Sequence, residues 1–115
     1  MPVRRPLLAA MAGYYIASGV WPIAHMPSFE AVTGPKTDHW LVKTVAALAI
    51  ANGVALAFGV RREKIAAETL ALAVCSAMAF TAVDVVFVMR GRIRPIYLAD
   101  AAAELALAAV IVAGD

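Results

Sequence analysis

Apolar residues run in four long blocks along this chain, broken by three short polar stretches. The blocks predict transmembrane helices over about 6–26, 40–60, 65–89 and 96–113, each long enough to cross a hydrocarbon core. The segment 27–39 (PSFEAVTGPKTDH) is the longest connection, and Gly34-Pro35 ends a short interfacial or re-entrant piece there, for which Ser28 is the expected cap. Asp38 is placed to cap the second span, and Pro22 to kink the last turn of the first. Arg61-Arg62-Glu63-Lys64 and RGRIRP read as tight turns, with Gly91 a helix C-cap and Pro95 a helix start. The fold class is all-α: one domain, 1–115, forming an integral membrane four-helix bundle.

Composition supports this division. At 115 residues, 63% hydrophobic, 16% charged and with a mean hydropathy of +0.83, the chain lies outside the soluble globular range. Membrane lipids are its expected partners, and a bacterial inner (plasma) membrane its expected location. A net charge of +2 in short basic clusters beside apolar blocks is no nucleic-acid footprint. Arg4-Arg5 before an apolar run imitates a secretory signal; with no small-x-small cleavage pattern at its end, the run is expected to stay as the first span. Lysine and arginine divide five against five between the two ends of the blocks, so charge sets no orientation. The balance also accommodates insertion both ways with antiparallel pairing. Cys75 alone excludes an internal disulfide.

The ionisable residues inside the blocks are unevenly placed. A charge in hydrocarbon costs about 2.5 kcal/mol or more, yet His25, Lys43, Asp84, Asp100 and Glu104 fall toward one common end. Glu68, near the other, is expected to snorkel or to pair with Arg61 or Lys64. At about 1.5 Å per residue, Asp100 lies about 6 Å, Asp84 about 9 Å and Glu104 about 12 Å inside its span. Small-residue lines at spacing four predict the inward faces: Ala9, Gly13 and Ala17; Ala47, Ala51, Ala55 and Gly59; Ala73, Ala77 and Thr81 with Asp84; Asp100, Glu104 and Ala108. Asn52 and Thr44 are candidates for bonds between helices. The expectation is a one-sided polar pocket whose ligand-binding residues are His25, Lys43, Asp84, Tyr97, Asp100 and Glu104. Its rim is Lys36, Asp38, His39, Arg90, Arg92 and Arg94.

Each of these has a plainer reading. Lys43 can snorkel, Asp84 can anchor the hairpin, His25 can pack at the interface, and Asp100 with Glu104 can pair with Lys43 and Arg94. No HxxxH or ExxH spacing is present, so no metal and no cofactor is expected. WPIAH, TGPKTDHWLVKT and GRIRPIYLADAAAE resemble segments of small bacterial four-helix membrane proteins, and the architecture is similar to the DoxX-like superfamily. That resemblance implies the bundle and says little about activity. Small multidrug transporters carry their membrane glutamate in the first helix, which here has no acid. The motif order of the emopamil-binding and sigma-2 group is not visible either.

The reading that follows is a pocket that binds or transports a small amphipathic molecule, with proton exchange at Glu104 or Asp100; the count of carboxyls favours a cation, and the rim arginines pull the other way. Two alternatives stay open: a membrane enzyme using His25 and a carboxylate as acid and base on a lipidic substrate, and an accessory subunit whose charges fix helix register. A homodimer is expected, since four short helices rarely enclose a whole pathway.

Overall fold

The computed structural model describes residues 3–114, all-helical in regular structure, with no strand among them. Five helices follow in order: α1 (Arg4–Ala24), α2 (Met26–Thr33), α3 (His39–Gly59), α4 (Ala67–Met89) and α5 (Tyr97–Ala113). Three of them, α1, α3 and α4, are long and apolar enough to cross a membrane. Large side chains such as Trp40, Leu48, Phe58 and Met89 stand exposed on the outer surface, a distribution suited to hydrocarbon.

Close approaches show how the long helices run. Gly19 meets Ala46 and Ile50, and Gly53 meets Ala12 and Ile16, so α1 and α3 are antiparallel. Tyr14 and Tyr15 bond Asp100 and Glu104 while Arg4 reaches Ile111, which sets α5 antiparallel to α1. Asn52 donates to Ser76 Oγ at 3.0 Å between α3 and α4. The most extensive packing is within two pairs, α1 with α3 and α4 with α5. Although a short turn joins α3 to α4, the closest approaches between them, Asn52–Ser76 and Gly59–Thr69, lie in the half near that turn.

The inward faces of α4 and α5 are the expected ones: Ala73, Ala77, Thr81 and Asp84 on one, Glu104 and Ala108 on the other, are buried. Those of α1 and α3 differ. Ala9, Gly13, Ala17, Ala47, Ala51 and Ala55 are exposed, whereas Leu8, Met11, Ala12, Tyr15 and Gly19 on α1 and Ala46, Ala49, Gly53 and Leu56 on α3 are buried. Alanine occurs on every face of these helices and so marks none. The seam lies where glycine admits the neighbouring backbone: a β-carbon on Gly19 would stand 2.4 Å from the Ala46 carbonyl oxygen.

Helix ends explain several polar residues. Arg4 donates through Nε to the Ile111 carbonyl at 2.8 Å, and Arg5 donates to the carbonyls of Val60, Arg62 and Glu63. Both arginines thus satisfy chain ends that leave carbonyls without partners and that carry the negative end of the helix dipole. At the far end of α4, Gly91 adopts φ 69°, with its N–H on Val88 O and that of Arg92 on Phe87 O, a Schellman ending. Gly34, at φ 103°, closes α2.

His25 is the residue at which α1 stops, three positions after Pro22, and α2 begins. Its Nδ1 accepts the Ser28 N–H at 3.2 Å, while Ser28 Oγ donates to the His25 carbonyl, so the histidine is the cap and the serine completes it. Asp38 stands at the N-cap position of α3 and accepts from Leu41 and Val42 through its carbonyl, with no bond from its side chain.

Candidate functional site

Between the ends of α1, α3, α4 and α5 remote from the α3–α4 turn lies a cavity of about 600 Å³, with α2 across its mouth. Its walls are aromatic and aliphatic: Tyr14, Tyr15, Trp21, Phe29, Phe80 and Tyr97 contribute rings, and α3 contributes Leu41, Val42, Val45, Ala46 and Ala49. Three carboxyls open into this apolar space. Asp84 comes from α4 and is 4% exposed, Glu104 from α5 is 1% exposed, and Asp100, one turn before Glu104, is half-buried.

Two tyrosines from α1 hold the α5 acids. Tyr15 donates to Glu104 Oε1 at 2.7 Å, and Tyr14 donates to Asp100 Oδ1. Consecutive in sequence, they straddle the face of α1 that meets α5, and the Tyr15 ring packs on Phe80 at 5.5 Å. Asp84 Oδ2 is buried and bonded to no protein group among the described residues. Thr81 Oγ1, one turn earlier on the same face of α4, is likewise unbonded. No Lys, Arg or His forms an ion pair with any of the three acids among the described residues. A buried carboxyl without a cation beside it is costly in its charged form. Carboxyls that line one such space can share a proton.

The expected site residues divide. Asp84, Asp100, Glu104 and Tyr97 line the cavity. His25 does not: it is exposed and engaged with Ser28 as the α2 cap. Lys43 is exposed on α3, one position beyond Val42, and reaches no acid, because the burial seam of α3 runs through Ala46, Ala49 and Gly53. Arg94 donates instead to the Ala31 carbonyl at 3.2 Å, so neither expected partner pairs with Asp100 or Glu104. Glu68 forms no ion pair with Arg61 or Lys64 among the described residues. Thr44 bonds within its own helix, to the Trp40 carbonyl.

At the mouth, Lys36 is the cation nearest the cavity. Its Nζ donates to the Thr33 carbonyl at 3.1 Å and lies 5.1 Å from the Tyr97 ring centroid and 5.8 Å from that of Phe29. Asp38 is exposed on the connector and His39 at the start of α3, Arg90 lies over Phe87, and Arg92 and Arg94 flank the hairpin.

The connector is tied by Glu30, whose Oε2 accepts the Lys36 backbone N–H at 2.7 Å and faces His39 Nε2 at 3.2 Å. The Lys36 N–H, then His39, hold this carboxyl below its ordinary range, against some opposing desolvation. A carboxyl depressed on folding adds stability above its unfolded pKa, and that stability is lost as pH falls through the folded value. Acid below about pH 4 should therefore loosen residues 30–39 and speed their proteolysis in the native protein, and Glu30→Gln should show the faster cleavage already at neutral pH. Equal cleavage of both proteins across that range would remove the tie.

The two tyrosines were not among the sequence expectations. Their signal was available: two tyrosines in the middle of an apolar block, away from either interface, each need a partner for the hydroxyl. No three His, Cys, Asp or Glu side chains converge closely enough to ligate one metal ion among the described residues. Comparison with protein families, curated proteins and solved structures gives no match. The fold class and site therefore stand on sequence and geometry alone: an all-helical protein with three helices fit to cross a membrane and a buried acidic, aromatic cavity.

Proposed function

We propose that α1, α3, α4 and α5 form a four-helix transmembrane bundle, of DoxX-like arrangement, in a bacterial inner membrane. Its one-sided cavity takes up a small amphipathic cation in exchange for a proton. α5 has 17 residues, about 25 Å of helix, enough to cross with Asp100 and Glu104 turned inward. α2 lies at the interface over the mouth.

The observation that carries this reading is Asp84: buried, opening into an aromatic cavity, with an oxygen that no protein group among the described residues satisfies. A ligand cation supplies the missing partner, and the aromatic walls suit its apolar body and its charge. Charge balance then requires a proton to leave the cavity carboxyls as the cation enters. Lys36 shows the same preference within the protein, since its ammonium sits on two of the mouth rings. A homodimer would complete a path across the membrane. No observation favours an acid–base enzyme, because His25 faces Ser28 and not the carboxyls.

The test is calorimetric titration of the full-length protein in nanodiscs with tetraphenylphosphonium at several pH values. Binding should weaken as pH falls and release close to one proton, seen as a buffer-dependent heat. Absence of binding, or binding independent of pH, would overturn the exchange.

A further inference from the structure

A second void of about 200 Å³ adjoins the mouth, between the α2–α3 connector and the α4–α5 hairpin. Its chemistry is opposite to that of the first. Lys36, Arg92 and Arg94 line it, and no Asp or Glu does among the described residues. Arg94 is held in place: its stem crosses Gly34, whose missing side chain leaves 3.1–3.3 Å between a β-carbon position and the Arg94 atoms, and Nη1 donates to the Ala31 carbonyl. Its remaining donors are free of recorded protein partners. Arg92 follows Gly91, whose positive φ turns the chain back, and its guanidinium bonds no protein group among the described residues. The ammonium of Lys36 uses one N–H on Thr33 and keeps two.

We propose that this void is a binding site for a phosphate-type oxyanion, held by Arg92, Arg94 and Lys36. Three cationic residues with unused donors, lining a pocket large enough for a tetrahedral anion, match the bidentate recognition that guanidinium groups give to phosphate. Chains 33–36 and 91–94 would be clamped together by the anion, since each supplies part of the site. The site stands at the same end of the helices as the cavity mouth, where the phosphodiester of an anionic lipid is available at headgroup level, as is free phosphate from solution. Lys36 and Thr33 line both voids. The proposal does not rest on cation binding in the larger cavity.

The test follows thermal unfolding of the full-length protein in neutral detergent during titration with dihexanoyl phosphatidylglycerol, dihexanoyl phosphatidylcholine and inorganic phosphate. The phosphatidylglycerol should raise the midpoint saturably and the phosphatidylcholine should not. A matching rise with inorganic phosphate assigns the site to the free ion, and its absence assigns it to the lipid headgroup. Arg92→Gln, which breaks no recorded bond, should weaken the anion about fivefold, and Arg92→Gln with Lys36→Gln more than tenfold. Asp84→Asn should leave anion binding unchanged. No saturable shift with either anion, or the same shift in the double variant, would overturn the proposal.

Discussion

Asp84→Asn is expected to weaken tetraphenylphosphonium binding about thirtyfold and to flatten its pH dependence, while the protein folds as before. The size follows from the loss of one charged partner in a buried setting, about 2 kcal/mol. Folding should be spared because no protein group among the described residues bonds Asp84 Oδ2. Glu104→Gln should act in the same direction with a cost to stability as well, since Tyr15 donates to Glu104 and both side chains are almost wholly buried. Tyr15→Phe separates the two effects: it leaves the carboxyl and removes its donor, so it should alter the pH midpoint of binding and keep the binding itself. If Asp84→Asn binds the cation like the unaltered protein across pH, the cavity is not where the cation is neutralised.

The second large effect concerns the α1–α3 seam. Gly19→Ala and Gly53→Ala should each destabilise the protein by about 1–3 kcal/mol, read as a lowered unfolding midpoint in detergent. At Gly19 the added carbon would stand 2.4 Å from the Ala46 carbonyl oxygen, and at Gly53 2.7 Å from that of Ala12. Backbone cannot turn aside as a flexible side chain can, so the helices must separate. Gly13→Ala is the internal control. Nothing lies within 4 Å of a β-carbon there, and alanine in an exposed helix position should be neutral or stabilising by up to about 1 kcal/mol. Destabilisation by Gly13→Ala equal to that of the other two would place the seam on the Ala9–Gly13–Ala17 line instead. Separation of α1 from α3 also displaces Tyr14 and Tyr15 from their acids, so the two seam variants should weaken cation binding as well as stability.

Much of this arrangement was legible before any coordinates. Long apolar blocks, the Gly34-Pro35 and Gly91 stops and the acids on one face of the last two helices each follow from local rules that tertiary packing has little power to override. Asp84 continues the Ala73–Ala77–Thr81 line because a buried acid and its small neighbours answer to the same close packing. The faces of α1 and α3 were not legible, because alanine is tolerated toward lipid and toward protein alike. Two glycines among many alanines decide the seam only once the opposing carbonyls are known. His25 and Lys43 illustrate a different limit. An ionisable residue near a helix end has a local use, as a cap or at the interface, that helical phase and depth do not reveal. Tyr14 and Tyr15 were missed because a hydroxyl partner is a matter of which helices touch, and α1 touches α5 across most of the chain length.

Cation uptake of this kind requires carboxyls that face a common void and give up a proton as the cation enters. The direct measurement is an infrared difference spectrum of the full-length protein in nanodiscs, recorded on adding tetraphenylphosphonium. A protonated-carboxyl band should be lost and a carboxylate band gained, and neither change should occur in Asp84→Asn. Cation binding with no change in the carboxyl bands would contradict the account.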